Sequence, residues 1–186
     1  EVQKFATELS LDQALYAAFR AVDTVSLDDG AKRFVEKTLL DFRRSGVDKD
    51  GETRGKIQKI QEEIVQIGQD FSRNIREDVR SIELTSAADL AGLPRDYIAS
   101  HPAGAENTIR ITTDYPDYLP FMQYARNAEA RRELGTFFRN RGFPSNEPIL
   151  RSLLEKRYEL ARLLGYENWA AYILEDKMAR DPARVE

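Results

Sequence analysis

Apolar side chains recur along most of this chain at steps of three and four, the spacing that lines one face of an α-helix. In "SLDQALYAAFRAV" the stripe is Leu11, Leu15, Phe19 and Val22. Ser10 stands where an N-cap belongs, and Gln13, three residues on, completes a capping-box pattern. "SLDDG" interrupts this helix. A second stripe in "AKRFVEKTLLDFRRSG" joins Phe34, Val35, Thr38, Leu39 and Phe42 and stops at Gly46. Arg43 and Arg44 fall in its last turn, where the helix dipole favours cations. The third helix is predicted from Gly51 to about Val79, through Ile57, Ile60, Ile64, Ile67, Phe71, Ile75 and Val79. Its first five apolar positions keep 3-4-3-4 spacing; two steps of four then shift the stripe, and Asn74 and Asp78 occupy the next seam positions. A coiled coil would hold the heptad, so this drift is that of a plain helix packed on a globular partner. At about 1.5 Å per residue, such a helix is a rod on the order of 40 Å long. The short "VDKD" link predicts that the second and third helices pair antiparallel.

The texture changes over 85–116, which holds three of the seven prolines. Pro94 predicts one short turn there. "NTIRITTDY" alternates Ile109, Ile111 and Thr113 against polar neighbours, which predicts a short extended or β segment near 107–115. Helical spacing returns in "FMQYARNAEARRELGTFFRNRG", broken near Asn127, and again from Asn146, an N-cap candidate, to Gly165. No internal repeat or low-complexity tract is present. The pattern therefore predicts a mainly α fold, an antiparallel helical bundle with long helices and one short β segment. It reads as a single helical region over 1–186, with a bundle at 1–84, a loop and strand at 85–116, and helices at 117–186. Asp181-Pro182 looks like the start of another helix with only four residues after it, and Glu1 is not an initiator methionine. An excised piece of a larger protein is expected.

Composition narrows the functions available. Hydrophobic residues at 41% suffice for a core, and charged residues at 32% suit long helices with wet faces. A net charge of −4 argues against nucleic acid as the main partner. The absence of cysteine excludes disulfides and thiolate metal sites, and no apolar run approaches the ~18 residues of a membrane span.

Candidate chemistry is sparse. The single histidine, His101, stands beside Ser100 in "SHPAG". Sequence neighbours diverge, and Pro102 fixes the backbone, so a loop histidine is expected rather than the base of a triad. One histidine and no cysteine cannot supply a zinc cage. The carboxylate pairs Asp28–Asp29, Glu62–Glu63 and Glu175–Asp176 would diverge by ~100° on a helix, which suits caps and solvated faces better than acid–base catalysis. No phosphate-binding glycine motif occurs. Glu129 and Glu133 interleave with the arginines of "RNAEARRELGTFFRNRG", so core plus ion pairs is expected there, not a phosphate surface. The aromatics of "DYPDYLPFMQY" are expected to anchor a turn against a helix. No catalytic, cofactor-binding or metal residue is assigned within these 186 positions.

Taken in order, "ETRGKIQKIQEEIVQIGQDFSRNI", "GLPRDYI", "IRITTDYPDYLPFMQYA", "EARRELGTFFRNRG" and "RYELARLLGYENWAAYILEDKMARDP" resemble the N-terminal half of the thimet oligopeptidase, neurolysin and oligopeptidase A family of zinc metallopeptidases. The resemblance covers nearly the whole chain. It implies an all-helical protein whose two halves flank a deep, narrow channel for short peptides. It also implies a Zn2+ site on an H-E-x-x-H helix in a C-terminal catalytic half, none of which lies here. This chain would then be a non-catalytic channel wall that restricts substrate size, inactive alone, in a cytoplasmic or periplasmic parent with no nucleic acid or membrane partner. A free-standing helical domain that binds peptides or proteins is the alternative.

Overall fold

A computed structural model describes residues 2–104 and 107–185. The expected 85–116 loop is thus described except at 105–106, and the outermost positions, 1 and 186, of the predicted helical regions lie outside the described residues. The chain is mainly α, and its backbone gathers into two compact units, one of residues 1–68 with 150–186 and one of residues 69–149.

The first unit is built from α1 (Val2–Ser10), α2 (Gln13–Arg20), α3 (Asp29–Ser45), most of α4 (Gly51–Glu77) and of α8 (Asn146–Leu164), and α9 (Trp169–Leu174). Ser10 is not a cap. It closes α1, which the sequence pattern did not predict, and its hydroxyl donates to the Thr7 carbonyl at 2.8 Å. The cap of α2 is Asp12, whose carboxylate accepts the amides of Ala14 and Leu15 at 2.8 and 3.0 Å, because a carboxylate directly before the first helical residue is among the best caps available. Val22 lies beyond the end of α2 and is exposed. Asp28 caps α3, and Gly46 ends it in the left-handed conformation at φ 91°. A side chain there would also meet Ile57 Cδ1 at 2.6 Å, which makes glycine a requirement of the packing as well as of the turn.

The core beneath is Ile57, Ile60, Leu160 and Leu164, with Ile64, Leu163, Tyr166, Trp169 and Tyr172 packed against it. The long stripe on α4 is buried deepest at Ile57 and Ile60; Ile64, Ile67 and Phe71 are half-buried and Val79 is exposed, past the helix end. Phe34, expected on the inner face of α3, is 63% exposed. Val35 and Phe42 take the interior, and the Phe42 ring meets Tyr16 and Phe19 at 5.8 and 6.0 Å.

The second unit is organised by two strands, β1 (Ser81–Leu84) and β2 (Ile109–Thr112), paired antiparallel with Ile82 opposite Ile111 and Leu84 opposite Ile109. β2 is the predicted segment; β1, of the same four-residue length, is not predicted by the sequence pattern. Strand periodicity puts all four of those side chains on one face, which is buried, while Glu83 and Arg110 pair on the wet face. Over the buried face lie α5 (Arg95–Ser100), α6 (Tyr115–Tyr124) and α7 (Ala128–Arg139), contributing Tyr97, Phe121, Ala130 and Leu134. Pro94 opens α5, as predicted, and the predicted break near Asn127 is there, with Asn127 as the cap of α7. Among the described residues, no helix is long and apolar enough to cross a membrane.

Candidate functional site

Ser100 and His101 do approach each other, contrary to expectation: the hydroxyl lies 3.1 Å from Nδ1, and Asp117 Oδ1 lies 3.2 Å from Nε2. The outline is that of a hydrolytic triad, but the proton is in the wrong place. His101 sits at the C-cap of α5, where its Nδ1 is 2.8 Å from the Tyr97 carbonyl. A carbonyl can only accept, so Nδ1 carries the hydrogen and cannot take one from serine. Ser100 donates to that same carbonyl at 2.8 Å. The histidine ring stacks on Tyr97 with centroids 4.2 Å apart. Asp117 accepts from the Thr112 amide and hydroxyl, and its own carbonyl accepts from the Tyr97 hydroxyl at 2.8 Å. Burial, helped by the Asp117 charge, pushes the Tyr97 phenol up. This network ties α5 to α6 and β2; it holds a fold together and activates no nucleophile.

The carboxylate pairs separate as expected. Asp28 caps a helix, Glu62 accepts from Gln58 at 3.3 Å, and Glu63 pairs with Lys156 at 2.8 Å. Glu175 and Asp176 face different partners, Arg44 at 2.7 Å for the first and Lys37 for the second. Two arginines of α7 are committed locally: Arg132 to Glu129, and Arg131 to the Ala125 carbonyl at 2.5 Å. Arg141, beyond α7, lies 4.0 Å over the Phe138 ring, which stacks on Tyr118 at 3.8 Å. Tyr118 and Phe121 anchor α6, whereas Tyr115 and Tyr124 are exposed.

Two polar clusters escaped the sequence reading. In the first, Arg44 donates to the Tyr172 carbonyl and to Glu175, both at 2.7 Å, and lies 4.5 Å over the Tyr172 ring. Tyr166 donates to the same Glu175 oxygen at 2.6 Å. Burial and the Glu175 hydrogen bond push the Tyr166 phenol up to about 12. Burial alone would raise Glu175, but the bonds from Tyr166 and Arg44 outweigh it and hold the carboxyl below its usual range. The helix dipole gave Arg44 a reason to sit in the last turn of α3, but nothing in the sequence pointed to its partners 128 and 131 residues away.

The second cluster explains the two polar residues in the α4 seam. Asn74 donates to Asn146 at 2.9 Å, and Asn146 donates to the Phe71 carbonyl at 3.0 Å. Asn146 is therefore a buried tie, not the predicted N-cap. Asp78 accepts from Arg80 at 2.7 Å and from the Gly142 amide at 2.8 Å. The Arg80 bond outweighs burial and, with the Gly142 amide, holds the Asp78 carboxyl below its ordinary value of 3.8. A depressed folded pKa contributes stability above the unfolded value and loses it as the pH falls through the folded one. Asp78→Asn is therefore expected to flatten the acid limb of stability below about pH 4 while leaving the neutral plateau sloping as before. Parallel wild-type and variant curves from about pH 4.5 to 2.5 in denaturant titrations would sink this assignment.

Neither cluster holds a nucleophile with a free base, and no three His, Cys, Asp or Glu side chains converge among the described residues. Chemistry says little about this chain; its likeness to other proteins says more. The model of peptidase family M3 matches residues 121–186. Oligopeptidase A of Salmonella typhimurium is 30% identical over 99% of this chain, saccharolysin of Saccharomyces cerevisiae 35% over 96%, and the organellar oligopeptidase A of Arabidopsis thaliana 32% over 96%. The chain is similar to peptidase family M3 proteins along nearly its whole length. It spans 30%, 26% and 25% of the length of those curated relatives. The part matched by the M3 model runs from Phe121 in α6 through α7, α8 and α9.

Proposed function

We propose that this chain is the non-catalytic helical part of a zinc metallo-oligopeptidase that hydrolyses short peptides, and that it forms a channel wall restricting substrates by size. The observation that carries the reading is the match to named oligopeptidases along 96–99% of this chain but only 25–30% of their length. The donor set agrees with it. Zinc does not fit the described residues, because both nitrogens of the one histidine are turned to the Tyr97 carbonyl and the Asp117 carboxylate. The metal and the water it activates would belong to a C-terminal catalytic half outside these residues, with the cytoplasm as the compartment proposed for the whole. What this part supplies is rigid confinement, which orients a bound peptide and excludes folded protein. No hydrolytic step is assigned to its residues.

The test compares this chain with the product of the gene that contains it, using a short quenched fluorescent peptide and equilibrium dialysis against zinc. The longer product is expected to cleave the peptide and to stop when chelator is added; the 186-residue chain is expected to do neither. Turnover or stoichiometric submicromolar zinc binding by the chain alone would overturn the reading, as would a reading frame that stops at residue 186.

A further inference from the structure

Helix α8 carries more apolar surface than this chain covers. Leu153, Leu160, Ala161 and Leu164 are buried, yet Leu150, Leu154 and Tyr158 are 43%, 55% and 54% exposed. These three stand four residues apart, which makes one stripe about two turns long. Leu150 is three residues from buried Leu153, and Tyr158 three from buried Ala161, so the stripe borders the inner face instead of opposing it. Exposed Arg151, Glu155 and Arg162, of both signs, lie along its outer side. A polar-rimmed apolar strip beside a core is the form of an unfinished packing interface. The stripe lies wholly within the residues matched by the M3 model.

We propose that a helix from the rest of the same polypeptide packs on Leu150, Leu154 and Tyr158. This rests on the reading of the chain as part of a longer peptidase. Two observations select that occupant. The relatives are three to four times as long as the stretch matched here, so the polypeptide needed to cover the stripe exists in them. The stripe is also too small for a second copy: at about 200 Å² for a fully exposed side chain of this size, it offers roughly 300 Å². A stable dimer needs about 800 Å² from each partner. A segment of the same chain loses far less translational and rotational freedom on docking, so a narrow ridge suffices, and i, i+4 ridges are what a second helix seats between.

The chain contains no cysteine, so Leu154→Cys places a single thiol on the stripe. Maleimide labelling at position 154, followed by mass spectrometry, is expected to be fast in the 186-residue chain. In the longer gene product it is expected to be about 100-fold slower, because the thiol reacts only when the contact opens. Equal rates in both overturn the proposal while leaving peptide hydrolysis, and with it the functional reading, intact. Slow labelling of a longer product that cleaves no peptide supports the docking and overturns the functional reading instead. Slow labelling of the isolated chain, with a dimer in sedimentation that Leu154→Arg dissolves, means that a second copy takes the stripe and overturns the proposal. A reading frame ending at residue 186 overturns both.

Discussion

Phe121→Ala is expected to destabilise the second unit by about 3–5 kcal/mol, the range for a fully buried aromatic truncated to a methyl group. Phe121 is wholly buried in α6, in one cluster with Ile82, Ile111 and Leu134. The gain in helix propensity, at most about 0.7 kcal/mol, is too small to offset the cavity. Hydrogen exchange of the β1 and β2 amides is the suitable readout, since the one tryptophan, Trp169, reports on the other unit. Leu119→Ala, two residues away and 54% exposed, is the control and should shift exchange by less than about 1 kcal/mol. If the two variants behave alike, α6 does not present Phe121 to the strands.

Gly92→Ala should be nearly as damaging, by about 2–5 kcal/mol, for a different reason. Gly92 holds φ 95°, and a Cβ there would stand 2.3 Å from the Tyr124 carbonyl oxygen. That oxygen belongs to the backbone at the end of α6 and cannot swing aside. Next to it the Arg126 amide donates to the Ala91 carbonyl at 2.9 Å, a bond that any retreat of the turn would lengthen. Gly55 supplies the opposite sign, being inside the second turn of α4 with nothing within 4 Å of its Cβ position. Gly55→Ala should therefore stabilise by about 0.5–1 kcal/mol. Thermal melts in which both alanines move Tm the same way would contradict this account.

Helices long enough to show several turns of apolar spacing were legible in the sequence, with good boundaries where a strong cap stood. Gly46 and Asn127 mark their ends because left-handed backbone and amide capping are local requirements. Ser10 misled for the same reason: a plausible cap sits two residues from the true one, and only the backbone decides between them. Depth of burial was read less well. Spacing shows which face of α4 is apolar but not how far along it a neighbour reaches, hence Ile57 and Ile60 buried and Ile64 to Phe71 half so. Trp169, Tyr172 and Ile173 near the end of the chain are half-buried, and the open apolar stripe is on α8. Among candidate residues, Ser100 and His101 could be named but their geometry could not, since it turns on the Tyr97 carbonyl. Arg44 with Glu175, and Asp78 with Gly142, are distant pairings that one sequence without relatives cannot display.

The first unit is assembled from the two ends of the chain, and that sets an order on its making. Ile57 and Ile60 leave the ribosome early, but their partners Leu160 and Leu164 are synthesised only after the whole of residues 69–149. At about 5–20 residues per second, the roughly 100 residues between Ile60 and Leu160 take some 5–20 s. The second unit, continuous in sequence, has its full core cluster in hand before then. A nascent chain would thus carry one finished unit and one bare apolar helix, and for those seconds the N-terminal half of α4 is the surface a holding chaperone would find.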